Sequence, residues 1–325
     1  MSTHFRRVVH FSLVGLLGLM GNFVQAQTFP EKPISIVIPF ATGGINDTVT
    51  RPLAASMSKY LGQSVIVENR VGAGGAIGMA YVAHAKPDGY TILLATPNVT
   101  VLPDTEILEG KKPSYLLKEL TPLAMLFADP LVLAANVKSK VQSIDDLVRL
   151  SKESPGSITY SASGQYGNSQ IAMAMVEQAA NIKVLQIPYK GGGPAMIALM
   201  SGEVDLSGQA SGTVRSQMSS GKIKAIASFG REKLASDPPV PSFMEQGIPI
   251  EFYIWNILFL PAGTPEVIQE KLREAIRFAM KDPPFVQVMN NLGIPTQYLE
   301  GKALSQYVES EAKTLKAIVQ KLGKQ

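Results

Sequence analysis

Three short loops carry the residues with the clearest potential for chemistry. They are "PFATGGIND" (39–47), "SASGQYGNS" (161–169) and "PYKGGGPA" (188–195). Each follows strand-forming residues and precedes a helical pattern, so each predicts a strand, a glycine-bearing turn and a helix start. Free amide groups and a partial positive charge at a helix start favour a carboxylate or a phosphate. Lys190 is the only basic side chain in these loops, which favours a carboxylate held by amides and hydroxyls.

The supply of histidine and cysteine restricts the other chemistries. The chain has no cysteine and three histidines, and His4 and His10 fall in an N-terminal segment that we expect to be removed. His84 stands on a predicted helix, where a lone histidine is usually a surface or boundary residue. A zinc site usually needs several histidine or cysteine ligands, and a hydrolase triad needs a histidine beside its nucleophile, so a single remaining histidine argues against both. We therefore expect no metal, no cofactor and no catalytic residue, and we keep an exported hydrolase only as an alternative.

Two further patterns exclude other classes of partner. "GAGGAIG" (72–78) follows a predicted strand, but Ile77 occupies the third glycine position of a dinucleotide-binding loop. The chain has 30 basic and 26 acidic residues. Removal of Arg6 and Arg7 with the N-terminal segment leaves 30 − 2 = 28 basic residues against 26 acidic ones. A chain so close to charge balance, with no basic run, is not expected to bind nucleic acid.

The N-terminus has the pattern of a secretory signal peptide. Arg6 and Arg7 precede an apolar stretch, and small residues stand at Val24 and Ala26. An uncleaved membrane anchor is the alternative, but the apolar stretch is shorter than the roughly 20 residues of a membrane span. We predict a signal peptide over 1–26, cleavage after Ala26, and a periplasmic protein.

The rest of the chain alternates strand-like and helix-like segments, which predicts an α/β fold with mostly parallel sheets. Pro122–Val137 forms a long extended segment interrupted at Asp129-Pro130, and "KIKAIASFG" (222–230) is a second one. We interpret both as strands that cross between two lobes, with a hinge and a cleft. The predicted lobe 1 comprises 27–127 and 230–325, and lobe 2 comprises 128–229. Ser143, with Asp146 three residues later, predicts a capped helix start.

Several segments together resemble one known family. "EKPISIVIPFATGGIND", "VENRVGAGGAIG", "IPYKGGGPAMIALMSGEVDL" and "LFLPAGTPEVI" occur in this order and are similar to segments of the Bug family, the solute receptors of tripartite tricarboxylate transporters. The resemblance implies a two-lobe, type II-like periplasmic binding protein that closes on a small carboxylate and delivers it to a membrane permease. Family ligands include citrate and other di- and tricarboxylates, acidic amino acids and aromatic carboxylates.

The two loops that bind the ligand in this family depart from the usual pattern here. Thr42 stands where the family usually has proline. In the second loop Tyr166 replaces a glycine, Gly167 replaces a serine or threonine, and Gln170 replaces a histidine. Tyr166 would add an aromatic face to the cleft, which indicates an aromatic or long-chain carboxylate.

The resemblance and the strand ends together define a predicted binding site. We expect a monomer that acts in transport, or alternatively a receptor that presents its liganded form to a sensor kinase. The predicted ligand-binding residues are Phe40, Ala41, Thr42, Gly43, Gly44, Asn46, Asp47, Thr96, Asn98, Ser161, Ser163, Gly164, Gln165, Tyr166, Gly167, Asn168, Tyr189 and Gln209.

Overall fold

The structure is a computed structural model that describes residues 29–234, 239–294 and 296–322. The predicted signal peptide and its cleavage site after Ala26 lie outside these residues. Within them, no helix has both the length and the apolar character that a membrane span requires.

The described residues form an α/β fold in which strands and helices alternate through most of the chain. The strands are β1 (Ile34–Ile38), β2 (Val65–Asn69), β3 (Thr91–Ala95), β4 (Leu120–Asn136), β5 (Thr159–Ala162), β6 (Leu185–Pro188), β7 (Leu206–Ala210), β8 (Ile223–Ser228), β9 (Tyr253–Pro261) and β10 (Leu299–Glu300). The helices are α1 (Ile45–Leu61), α2 (Ala76–Ala83), α3 (Leu102–Leu108), α4 (Ile144–Glu153), α5 (Asn168–Ala180), α6 (Gly192–Ser201), α7 (Ser211–Met218), α8 (Glu266–Ala279), α9 (Pro283–Leu292) and α10 (Gly301–Leu322).

One continuous mixed sheet joins the two lobes. The strand order is β2-β1-β3-β9-β4-β7-β5-β6, and β8 and β10 also pair with β4. β1 is parallel to β2 and β3, and β5 is parallel to β6 and β7. The strands β1, β2, β3 and β9 form the lobe 1 half, and β5 to β8 form the lobe 2 half. Because the carboxyl ends of parallel strands carry the following loops, each half directs its loops towards the cleft.

The long strand β4 is the connection between the halves. Its residues up to Pro130 pair with β9, and its residues from Leu131 pair with β7 and β8. The crossing strand predicted over Pro122–Val137 is therefore present, and its partners change at Asp129-Pro130, where the sequence pattern was interrupted. β8, in the second segment predicted to cross, pairs with β4 only between Val132 and Asn136 and so lies in the lobe 2 half. The residue bounds of the two lobes stay a prediction.

Local sequence signals account for much of this framework. β1 is the β-branched run "ISIVI", and three of its isoleucines are fully buried. The predicted cap of α4 is confirmed, because the Ser143 side chain accepts a hydrogen bond of 3.1 Å from the amide of Asp146. The helices α3 and α9 were not predicted. α9 begins at Pro283, which suits the first turn of a helix.

Candidate functional site

The three glycine-bearing loops converge on one cavity between the lobes. The first loop leads into α1, the second into α5 and the third into α6. The cavity has a volume of about 40 Å³ as the lobes stand here, room for a few water molecules, so a larger molecule can enter only when the lobes stand further apart. The residues that line it are Phe40, Ala41, Gly44, Ile45, Asn46, Leu131, Ser163, Asn168, Ser169, Gly192, Gly208, Gln209, Ala210, Thr213 and Ile254.

The lining of the cavity offers hydrogen-bond donors. Helix α1 begins at Ile45 and α5 begins at Asn168, and the first amides of a helix have no acceptor within the helix. Asn46 accepts a hydrogen bond of 3.0 Å from Asn256 through its Oδ1, which leaves its Nδ2 as a donor. Ser163, which also lines the cavity, carries a hydroxyl group. A carboxylate is suited to this arrangement because its oxygens only accept hydrogen bonds.

The floor of the cavity is apolar. Leu131 of β4 and Ile254 of β9 form this floor and lie where the two halves of the sheet meet. None of the lining side chains is charged. The lining therefore combines residues from helix starts, whose free amides favour an anion, with apolar side chains of β4 and β9.

Direct contacts hold the lobes together around the cavity. The amide of Ala41 in lobe 1 donates to the carbonyl of Lys190 in lobe 2 at 3.2 Å. Asn168 spans the cleft twice: its Oδ1 accepts from the amide of Asn98 at 3.1 Å, and its Nδ2 donates to the Thr96 hydroxyl at 2.9 Å. Asn168 is 4% exposed. These bonds, of which those of Asn168 join buried groups, define a closed arrangement of the lobes.

Asp47 orders the first loop and does not line the cavity. Its carboxylate forms an ion pair with Arg51 at 2.7 Å and accepts a hydrogen bond from Asn69 at 3.3 Å. The same amide group of Asn69 donates to the carbonyl of Phe40 at 2.9 Å. Asp47 thus fixes the backbone that leads to the cavity.

The structure brings together seven of the residues predicted from the sequence and places the others outside the cavity. Thr42 and Gly43 are exposed on the first loop. Thr96 and Asn98 bond to Asn168 as described, and Ser161 is buried, with its hydroxyl 2.8 Å from that of Ser207. The seven that line the cavity are Phe40, Ala41, Gly44, Asn46, Ser163, Asn168 and Gln209.

A second cavity of about 210 Å³ lies beside the first in the cleft. Residues 71–75 of lobe 1 face residues 163–165 and 188–190 of lobe 2 there, so Gly164, Gln165 and Tyr189 belong to this space. A Cβ atom on Gly74 would clash with the carbonyl oxygen of Gln165, and Gly74 has a φ of +65°. Both the close approach of the lobes and the left-handed turn therefore require glycine. The segment 72–78, whose sequence only partly matches a dinucleotide-binding loop, is therefore a loop whose glycine at position 74 allows the cleft to close.

Tyr166 lines neither cavity. Its φ of +53° is unusual for a residue with a side chain, and its amide donates to the side chain of Gln170. Its phenol lies near the carboxylate of Glu109 at the end of α3, and partial burial together with this carboxylate raises the pKa of Tyr166. Gly167, which follows it, caps the start of α5.

Several lining residues were not predicted. Leu131 and Ile254 belong to buried apolar strands, whose sequences do not distinguish a cavity-facing side chain from a core one. Ser169 and Thr213 lie on the first turns of α5 and α7. Gly192 lies in the third loop, of which only Tyr189 was predicted from the sequence to bind the ligand.

A buried acid lies beside the floor of the cavity. Asp129 of β4 is 3% exposed and accepts a hydrogen bond of 3.2 Å from the amide of Ser211 at the start of α7. Burial raises the pKa of Asp129 to about 6, although the Ser211 contacts and the charge of Arg215 oppose this rise. Asp129 precedes Leu131 by two residues but does not line the cavity itself.

Other features of the described residues lie away from the cleft. The His84 side chain is 60% exposed, and its Nε2 lies 3.7 Å from Glu119. A larger open groove of about 1100 Å³ lies between Tyr90 and the start of α8, and none of the three loops reaches it. Among the residues described, no three His, Cys, Asp or Glu side chains cluster as a metal site would require.

Comparisons with known proteins agree with this architecture. The profile of the tripartite tricarboxylate transporter family receptor matches residues 49–324. Protein BugT of Bordetella pertussis is 31% identical over 287 residues, which are 85% of this chain and 87% of BugT. The periplasmic binding protein BugD superposes with a TM-score of 0.82 at 32% identity, covering 91% of this chain and 99% of BugD.

A third relative was solved with a ligand. MatC from Rhodopseudomonas palustris with bound malate superposes with a TM-score of 0.81 at 28% identity, covering 90% of this chain and 100% of MatC. The fold is that of periplasmic binding proteins, and the resemblance to the Bug family is confirmed. The chain belongs to the receptor family of the tripartite tricarboxylate transporters and is a solute-binding protein.

Proposed function

We propose that this receptor captures a small carboxylate in the cavity between the lobes, in the periplasm, and delivers it to the membrane permease of its transporter. The observation that carries the proposal is the convergence of three helix-opening loops on one uncharged cavity. Helix starts concentrate partial positive charge and free amides at a point where no side chain supplies charge. The malate bound to MatC supports an organic acid as the ligand.

The contacts across the cleft support a mechanism by lobe closure. A ligand that touches Asn46 of lobe 1 and Ser163 of lobe 2 at once binds the closed form better than the open form. It therefore shifts the population towards the closed form. The Asn168 hydrogen bonds and the Ala41–Lys190 bond form only when the lobes meet, so the closed surface is the one that a permease would recognise.

Calorimetric titration with a panel of acids tests the proposal. The panel contains butyrate, succinate, malate, citrate, benzoate and aspartate, with the corresponding amides as uncharged controls. We expect saturable binding of at least one acid and none of its amide. Ser163→Ala should weaken that binding about tenfold or more, because a hydrogen bond to a charged group contributes about 1.5–3 kcal/mol.

The matched control is Ser157→Ala, since Ser157 lies on the exposed surface of lobe 2. Its affinity should equal that of the wild type. Absence of binding by every acid, or equal loss in both variants, contradicts the proposed site. Uptake of the labelled acid in a deletion strain distinguishes transport from presentation to a sensor kinase, which would change gene induction and leave uptake intact.

A further inference from the structure

Gln209 is a polar residue of the cavity with a fixed orientation. Its Nε2 donates to the Ser207 hydroxyl oxygen at 2.8 Å and to the carbonyl of Gly192 at 3.3 Å. A carbonyl oxygen only accepts hydrogen bonds, so the atom that contacts the Gly192 carbonyl must be the amide nitrogen, and the other end of the amide is the oxygen Oε1. The network thus determines which end of the amide is available.

The Oε1 atom of Gln209 is an acceptor without a donor. No described residue donates a hydrogen bond to it, and it is not fully enclosed by protein, so a molecule in the cavity that Gln209 lines can reach it. Gly192 allows this position, because a Cβ atom there would lie only 3.1 Å from Oε1. A buried acceptor left unpaired costs free energy, and a bare carboxylate cannot pair with it because both are acceptors.

The chemistry of the cavity selects the kind of donor. An ammonium group would need a negative partner, yet the lining contains no acid, and Asp47 is already paired with Arg51. A second carboxylate would need several donors of its own, but of the lining hydroxyl groups besides Ser163, Ser169 already donates to the carbonyl of Gly208 and only Thr213 is left. A hydroxyl group needs neither a counter-charge nor more than one acceptor.

We propose that the ligand is a hydroxy acid with a single carboxylate and an apolar body, and that Gln209 determines the preference for its hydroxyl group. This rests on the proposed function. The helix starts hold the carboxylate, the apolar floor holds the carbon chain, and the Oε1 atom of Gln209 accepts a hydrogen bond from the hydroxyl. Gln209 is then a specificity-determining residue contributed by β7 of lobe 2.

Matched acids test this by calorimetry. We compare butyrate, 2-hydroxybutyrate, 3-hydroxybutyrate, 2-aminobutyrate, succinate and malate on the wild-type protein. One hydroxybutyrate should bind about 3- to 10-fold more tightly than butyrate, the range of a net hydrogen bond. 2-Aminobutyrate should show no such gain, and malate should not exceed the better hydroxybutyrate.

Variants then assign the preference to one atom. Gln209→Met keeps the length of the side chain and removes the acceptor, so the hydroxy acid and butyrate should bind it with equal affinity. Gln287→Met, at an exposed position of α9, should retain the wild-type ratio. If Gln209→Met does not fold, the wild-type comparison alone decides.

The outcomes separate this inference from the proposed function. Binding of acids with no gain from a hydroxyl group, or a gain that survives in Gln209→Met, overturns the role of Gln209 alone. Succinate binding more tightly than butyrate, or malate binding more tightly than the better hydroxybutyrate, overturns the single carboxylate. Failure of every acid to bind refutes the proposed function, and this inference with it.

Discussion

Replacing Asp129 with asparagine should stabilise this receptor at neutral pH. Asp129 is 3% exposed on the strand that joins the lobes, and burial raises its pKa from 3.8 to about 6. The charged carboxylate is therefore disfavoured by folding. Asparagine has nearly the same shape, and its Oδ1 can still accept the hydrogen bond from the amide of Ser211.

The expected gain in the free energy of unfolding follows from the pKa values of Asp129 in the unfolded and folded states. The rise from 3.8 to about 6 corresponds to about 3 kcal/mol, since each pKa unit is worth about 1.4 kcal/mol. Because the folded pKa lies above the unfolded one, the carboxyl group contributes its full stability below about pH 4, where it is neutral in both states. That stability is lost as the pH rises from about 4 through 6, and the full cost applies above pH 7.

The assay is urea denaturation of wild type and Asp129→Asn at pH 4, 5, 6 and 7.5. The advantage of the variant should be small at pH 4 and reach about 2–3 kcal/mol at pH 7.5. Asp145→Asn, at an exposed position of α4, serves as the control and should show no such trend. An advantage that is constant with pH, or a less stable variant at pH 7.5, would refute the reasoning.

Three further variants test the closed arrangement. Gly74→Ala should obstruct closure against Gln165, so ligand affinity should fall at least tenfold and small-angle scattering should show a wider particle; an unchanged affinity would contradict this. Asn168→Ala removes two hydrogen bonds between the lobes, one of them from Asn98, and should cost about 1–3 kcal/mol in denaturation; no change in stability would mean that the lobes are held by other contacts. Tyr166→Gly should leave the ratio of benzoate to butyrate affinity unchanged, since Tyr166 lines neither cavity; a selective loss of benzoate would restore its predicted aromatic role.

The parts of the fold that the sequence predicted are those specified by local patterns. The β-branched run of β1, the Ser143 cap and the extended segment through Asp129-Pro130 each have a signal within a few residues. The helix α9 lacked such a clear signal, because its first residues, "PP", are also typical of a loop. Its presence depends on packing against α1 and α7, which no local pattern encodes.

In the candidate site, too, the features with a local sequence pattern were predictable and those that depend on distant parts of the chain were not. The sequence identified the loops that supply amides, because glycine-bearing turns before helices have a clear physical signature. It could not identify the floor, because Leu131 and Ile254 are brought together only where β4 pairs with β9. It also could not show that the side chain of Asn168 forms its hydrogen bonds with Asn98 and Thr96 and not with a ligand.

Tyr166 shows why residue type alone misdirects a prediction of specificity. An aromatic residue in a binding loop indicates an aromatic ligand only if its side chain points into the cavity. Here the left-handed backbone at Tyr166 accompanies a phenol placed near Glu109, outside the cavity. We therefore expect discrimination between acids to depend on polar groups that face the cavity and have a donor or acceptor without a protein partner. Gln209 has such a group because Gly192 and Ser207 engage only its nitrogen, so the proposed selection of the ligand depends on an oxygen whose availability is determined by the hydrogen bonds of its neighbours.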